Sequence, residues 1–369
     1  MVMRRIAKSG FMIGILLFIL QYPSAIAQEE TSNRQMETRR RSISIFPILM
    51  YDSDIGFGFG GKSIIKNQLR YNESYDLTLF GSTKGEQWYA FTFSIPDFEI
   101  RHGTRYPVAF GVKLEYDKIL KSNFFGLGNN SKNNDWQFPR EFMKIEFTLG
   151  HAFTEHIFGE TSLSYNHTSV YDYEDINPLM TPDVAGTGKK LTSYLTARLC
   201  LDTRDSQINP HKGWKLSFDS DCAAKLIGGD YNFQRYRLEV SKYQGLFTPA
   251  HTWAVRLWTE HVEGTAPYYE QCIIGGGWTA RGFKADRFID RALTLVSNEY
   301  RFPIYGKLGG VLLADAGRVY SSIGKINLHN WKTSWGGGLR YYVTNFVTRL
   351  DVGTSKEGTR IFFNFGHVY

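Results

Sequence analysis

The sequence predicts an all-β protein, a sixteen-stranded antiparallel transmembrane β-barrel. Three observations carry this. Mean hydropathy is −0.31, which excludes a helical membrane bundle, since that needs repeated apolar runs of roughly 20 residues. A barrel stays open, because its strands alternate apolar and polar residues and average to a neutral value. Alternation does persist over segments of about ten residues, longer than the ~5–6 of a soluble strand and enough for a tilted bilayer crossing. The polar face of those segments carries both signs of charge: Lys215 and Asp219, Arg237 and Glu239, Arg256 and Glu260, Arg349 and Asp351. Such a face suits a wet lumen.

The first element, residues 1–27, reads as a secretory signal peptide. Arg4, Arg5 and Lys8 make a basic start, Phe11 to Leu20 an apolar stretch too short to span a bilayer, and Ala25-Ile26-Ala27 a small-x-small cleavage site. Its loss would lower the net charge from +7 to +4. That is weak support for nucleic acid, which an exported chain rarely meets. Residues 28–42 are polar, end in a run of three arginines, and read as a short periplasmic tail. The barrel is expected over 43–369.

The strands follow in order, centred near Ile48, Ser63, Leu79, Phe91, Val112, Phe147, Leu163, Thr196, Phe218, Leu238, Val255, Val296, Leu313, Leu339, Leu350 and Phe363. Trp214, Leu216 and Phe218 share one face, and Lys215, Ser217 and Asp219 the other. Leu195, Ala197, Leu199 and Leu201 oppose Thr196, Arg198, Cys200 and Asp202. An even count leaves both termini on one side. The long connections (119–139, 172–190, 262–292, 320–332) all follow odd-numbered strands. Those after even strands are short (245–250, 302–307) or of middle length (96–107, 202–213). Outer-membrane barrels have this asymmetry of short periplasmic turns and long outer loops. Gly56-Phe57-Gly58-Phe59-Gly60-Gly61 imitates a nucleotide loop, but no helix follows, and a strand of small residues explains it better.

Pro47 falls inside the first strand. Proline has no ladder donor and belongs at sheet edges or bulges. It is either a strand-entry residue near the rim or a weak point in the seam between first and last strands. The last strand is expected to put Ile361, Phe363, Phe365 and Tyr369 on one face, with no tail, so that it zips to the first and leaves no open edge in lipid.

Cys200, Cys222 and Cys272 are too few and too scattered for a disulfide framework or a zinc site. HExxH, Gly-x-Ser-x-Gly and P-loop motifs do not occur. His151, His156, His167 and His261 have no partner spacing that suggests catalysis. No catalytic residue, metal or cofactor is therefore expected.

Five motifs run in order through the second half: Leu201-Asp202-Thr203-Arg204-Asp205-Ser206 with Asn209-Pro210-His211-Lys212-Gly213-Trp214; Gly275-Gly276-Gly277 with Ala280-Arg281-Gly282-Phe283; Asn298-Glu299-Tyr300-Arg301-Phe302-Pro303; Leu312 to Val319; and Gly336-Gly337-Gly338-Leu339-Arg340. Phe124-Phe125-Gly126-Leu127-Gly128-Asn129 is a weaker sixth. With these the sequence resembles the barrel of the BamA/TamA-like bacterial surface-antigen family. The resemblance implies a sixteen-stranded barrel whose sixth outer loop folds into the lumen. The strand count puts Arg281 in that loop. By the same resemblance, Arg281 pairs with a wall acid, Asp315, in a segment that also holds Gly317; Gly282 permits a tight backbone path and Phe283 fills an apolar gap. Arg318 and Arg340 are the alternative partners of Asp315. It also implies outer-membrane localisation, lipid contact, the barrel assembly machinery during biogenesis, and unfolded outer-membrane or secreted proteins as clients. Family members that open laterally favour the weak-seam reading of Pro47. The expected function is non-enzymatic assistance to protein insertion or translocation. Alternatives are a passive pore or structural barrel and, from another class, an outer-membrane hydrolase. Residues 28–42 are too few for a periplasmic polypeptide-transport-associated domain, so client recruitment departs from the family pattern.

Overall fold

The computed structural model describes residues 41–52, 56–134, 136–172, 177–181, 184–248, 250–343 and 346–369. The expected signal peptide, and all but the last two residues of the polar tail, lie outside them. Sixteen long strands form one sheet: β1 (Ser42–Asp52), β2 (Gly56–Lys66), β3 (Ser74–Ser82), β4 (Gln87–Ile95), β5 (Ala109–Asn123), β6 (Gln137–Ala152), β7 (Ile157–Val170), β8 (Gly188–Asp202), β9 (Gly213–Ala223), β10 (Asn232–Leu246), β11 (His251–Thr265), β14 (Ala292–Tyr305), β15 (Leu308–Tyr320), β16 (Lys332–Val343), β17 (Phe346–Ser355) and β18 (Gly358–Phe365). Each pairs antiparallel with the next. A ladder between β1 and β18 is not among the pairings of the described residues. All sixteen expected centres fall in separate strands. Two short strands, β12 (Cys272–Ile274) and β13 (Phe288–Asp290), pair with each other inside the loop after β11. One helical turn, α1 (Phe98–Arg101), interrupts the connection 96–108.

Burial is inverted relative to a soluble sandwich. Trp214, Leu216 and Phe218 of β9 are exposed, whereas Ser217, Asp219 and Asp221 on its other face are buried. The same holds for Leu195 and Leu199 against Cys200 and Asp202 on β8. Apolar side chains thus face lipid and polar ones face the lumen. Lumen charges pair across strands: Arg198 with Asp219 (2.8 Å), Arg237 with Glu260 (3.0 Å) and Arg235 with Asp221 (2.6 Å).

The long connections lie at one end, as expected. The other end carries short turns, among them 247–250 and 306–307, and the middle-length 96–108 and 203–212. The wall is uneven. β5 to β8 have 14 to 16 residues, β3 and β4 have 9 each, and β18 has 8.

The end of the chain corrects one expectation. Ile361, Phe363 and Phe365 do share the outward face, opposite Val352, Leu350 and Thr348. Tyr369 does not. Gly366, at φ +81°, breaks the extended path, and residues 366–369 turn into the lumen. There the Tyr369 hydroxyl donates to the main-chain carbonyls of Ala254 (3.0 Å) and Ser297 (3.2 Å), and the ring lies between Arg256 and Arg301. A buried phenol with two acceptors and two cations outweighs one more aromatic side chain in lipid.

An arginine in place of Phe218 should cost about 2–4 kcal/mol near mid-bilayer. Arginine at the neighbouring, lumen-facing Ser217 should cost much less. The yield of compact, heat-modifiable protein after refolding into lipid vesicles measures the difference.

Candidate functional site

The loop 266–291 leaves β11 at the long-loop end and enters the lumen. Its β12–β13 hairpin brings Cys272, Ile274, Phe283 and Phe288 into an apolar cluster with Leu293, Leu295 and Val319 of the wall. Phe283 and Phe288 meet edge to face at 5.3 Å. Gly317 sits under this hairpin, and a Cβ there would come within 3.1 Å of Ile274 and closer still to Leu295. Gly317 is thus a space-maker for the loop.

Below the cluster lies Arg281, fully buried. Its Nε and Nη2 donate to the two oxygens of Asp315, each at 2.9 Å, and its main-chain N–H donates to Oδ2 at 3.1 Å. Nη1 donates to Glu299 and lies 3.5 Å from Asp351. Of the partners open for Asp315, the structure selects the loop arginine. Arg318 turns instead to Asn327 and His329, and Arg340 to Glu299 and Asp351. Gly282, at φ +132°, brings the loop backbone against Ser334 and Thr354, where a Cβ would clash. Its carbonyl accepts from Ser355 at 2.8 Å.

The network extends past this pair. Glu299 also takes Arg301 (2.8 Å) and Arg340 (3.3 Å), and Asp351 takes Arg340 (2.5 Å) and Arg349 (2.9 Å). Four guanidiniums therefore share three carboxylates. Arg349 also stacks on the loop's Trp278, with its guanidinium 4.3 Å from the ring centre. Burial pulls the Arg281 pKa down, but Asp315 and Glu299 push it well above its ordinary value. It stays charged.

The long-loop end is closed over this core. Arg287 pairs with Glu357 (2.8 Å) and donates to the Ser131 hydroxyl (2.8 Å). The main-chain N–H of Gly128 donates to the Ile289 carbonyl at 2.7 Å, and that of Tyr268 to the Ala185 carbonyl at 2.9 Å. The Phe124 to Asn129 motif is thus part of the loop's lid. Phe124 is buried beside Tyr268, and Arg287 sits over Phe125. On the opposite wall two polar cavities of about 440 and 670 Å³ remain, sharing Glu160, Arg198, Asp219 and Arg237.

Of the expected site residues, Arg281, Gly282, Phe283, Asp315 and Gly317 come together, and Tyr369 lies against Arg301 beside them. Pro47, Phe363 and Phe365 belong to β1 and β18, and do not join the site. Glu299 and Arg301 were visible only as motif residues, Arg349 and Asp351 as polar-face residues, and Arg340 as an alternative partner of Asp315. Nothing in the sequence gave their height. No three His, Cys, Asp or Glu residues are set to hold a metal among the described residues.

A family model described as the Omp85 superfamily domain matches residues 67–367. Three solved structures are similar. BamA from Haemophilus ducreyi, in a form lacking its first three POTRA domains, has a TM-score of 0.59 at 16% identity, over 88% of this chain and 70% of that one. CdiB from Acinetobacter baumannii has 0.57 at 12% identity, over 94% and 69%. CdiB from Escherichia coli has 0.60 at 12% identity, over 88% and 61%. No curated protein matches the sequence.

Arg281→Ala leaves the buried Asp315 carboxylate unpaired and should destabilise the barrel by roughly 3–5 kcal/mol. Arg281→Lys should recover only part of this, because an ammonium cannot hold Asp315 by a two-pronged fork. An Arg281→Asp/Asp315→Arg exchange should not rescue, because Glu299 and Asp351 still face position 281. The temperature at which the compact gel band disappears orders the four proteins.

Proposed function

Because the chain belongs to the Omp85 superfamily, we propose that it is a bacterial outer-membrane protein that helps insert proteins into that membrane or move them across it, with no chemistry of its own. Outer-membrane lipids surround it, the barrel assembly machinery installs it, and unfolded outer-membrane or secreted proteins are its clients. On this reading the short-turn end is periplasmic and the long-loop end faces outward.

One observation carries the reading. The last strand is the shortest of the sixteen. β18 offers eight residues, Gly358–Phe365, before the chain turns inward, against the eleven of β1. Pro47 has no N–H to give within β1, and its outward neighbours Ile43 and Ile45 are exposed. Meanwhile the lumen is blocked by the loop that Arg281 anchors. A passive pore has no use for a buried ion network in its channel. A short, weakly paired seam beside a low apolar belt favours local thinning of the bilayer and lateral exchange of strands.

Cysteine pairs scanned between Ile43 to Pro47 and Ile361 to Phe365 should crosslink under oxidation. The crosslinked protein should lose most of its ability to assemble a client barrel in reconstituted vesicles, and reduction should restore it. Undiminished assembly by fully crosslinked protein would remove the seam from the mechanism. Steady, Arg281-independent conductance in planar bilayers would favour the pore.

A further inference from the structure

The plug closes the lumen from outside; a second feature closes it from the periplasm. The turn 96–108 starts and ends on the neighbouring strands β4 and β5, yet its contacts are elsewhere. On one side Lys66, at the end of β2, pairs with Asp97 (3.1 Å) and Glu99 (2.8 Å). On the other, Arg101 pairs with Glu160 of β7 (3.4 Å). His102 reaches the turn after β8, with Nε2 2.7 Å from the Arg204 carbonyl and Nδ1 3.6 Å from Asp202. A segment rooted at β4–β5 that touches both β2 and the β8–β9 turn runs as a chord across the mouth. Its side chains face the lumen water: Phe98 and Glu99 line the 670 Å³ cavity, and Arg101 the 440 Å³ one.

The chord meets two other pieces. The β8–β9 turn, which holds the Asp202-Thr203-Arg204 and Asn209-Pro210-His211 motifs, is braced by Arg204 on Asp202 (2.7 Å) and by His211 on Thr252 (2.6 Å). From the far side His367 reaches Asn209 at 3.2 Å, and His367 lines the same 670 Å³ cavity. The β8–β9 turn is therefore the keystone between the α1 chord and the inturned chain end.

The two closures differ in extent. The plug is held by a large apolar cluster and a network of fully buried ion pairs. α1 contributes no buried residue, and the chord is fixed by fewer contacts: the buried Lys66 pairs with Asp97 and Glu99, the Arg101 and His102 contacts, and Tyr106 against Ala109, Ala152 and Phe158. A segment with few holding contacts opens at lower free energy than a large packed core.

We propose that the turn 96–108 is a gate on the periplasmic mouth, latched by Lys66 on Asp97 and Glu99 and by His102 on the β8–β9 turn, which opens the lumen to the periplasm while the Arg281 plug stays in place. This goes beyond the proposed function, and its test involves no client.

The full chain, with its cysteines replaced by serine, receives one new cysteine at Ser162, on the wall of the 440 Å³ cavity. A small sulfonated thiol reagent is added to the folded protein in detergent, and the heat-modifiable band verifies the fold. The latched protein should react slowly. Lys66→Ala should speed labelling about tenfold or more, and the milder Glu99→Gln should speed it in the same direction, in each case with Arg281 intact. Labelling of the latched protein at the rate of a free thiol would overturn the gate, because the mouth would already be open. So would folded Lys66→Ala and Glu99→Gln proteins that label no faster than their parent.

Discussion

The structure depends on one constraint: a loop of polar backbone has to be held inside a barrel without leaving charge unpaired. Arg281 meets it with a planar fork. Two of its nitrogens fix the Asp315 carboxylate, and the third turns to Glu299 and Asp351. Glu299 and Asp351 are shared with further guanidiniums on β14, β16 and β17. The loop is thereby registered against four wall strands at once, and the apolar cluster above it packs only if that register holds. A buried ion network is weak evidence for net stability, since desolvation offsets much of the attraction. Its evident product here is a single position for the loop. The small residues around it follow from this. Gly282, Gly317 and Gly353 let the loop and wall backbones approach more closely than a Cβ allows.

Much of this was legible in the sequence, for a simple reason. A strand in a membrane barrel has two environments, and a period of two reports which side chain meets which. The sixteen centres and the lipid-facing sets Trp214, Leu216, Phe218 and Leu195, Leu199 needed nothing more. The Arg281–Asp315 pairing was legible only through a family motif, because the two lie 34 positions apart and nothing local links them. Glu299, Arg340 and Asp351 show where the reading stopped. Alternation put Asp351 on the polar face and the motifs marked Glu299 and Arg340, but their height depends on how far each strand is staggered against the next. That stagger is fixed by the whole ring of ladders. Tyr369 failed for a different reason. Parity carried it outward from Phe365, but parity holds only while the backbone stays extended, and Gly366 ends that. α1 is a single helical turn, too short for any periodicity to reveal.

The wall and its filling are unevenly distributed, and the two asymmetries coincide. The plug lies against β11 and β14 to β17, while the two cavities lie mostly along β2 to β10, the larger reaching the inturned chain end. The last strand, β18, is the shortest of the sixteen. A loop anchored to β14–β17 stiffens the wall leading up to β18, but it leaves β1 to β4 supported chiefly by their own ladders. Opening at the proposed seam would then move the β1 side against a fixed β14–β18 side.

The closures at the two ends of the lumen can be ranked by the same physics. Releasing the plug leaves the buried Asp315 without its partner, takes one guanidinium from Glu299 and Asp351, and separates a close-packed apolar cluster from its wall. Lifting the turn 96–108 breaks the Lys66 and Arg101 ion pairs and withdraws Tyr106 from a small cluster, which is a smaller loss than that of the plug. Thermal motion therefore opens the periplasmic side far more often than the outer side. A chain approaching from the periplasm meets the weaker barrier first, and reaches the cavities along β2 to β10 without disturbing Arg281. Traffic through the whole lumen would need both barriers down together, whereas a lateral route through the seam needs neither the plug nor its ion network to move. The energetic order of the two closures thus separates the two halves of the proposed function. Insertion is compatible with the plugged state, and translocation requires the much rarer state in which the Arg281 network is broken.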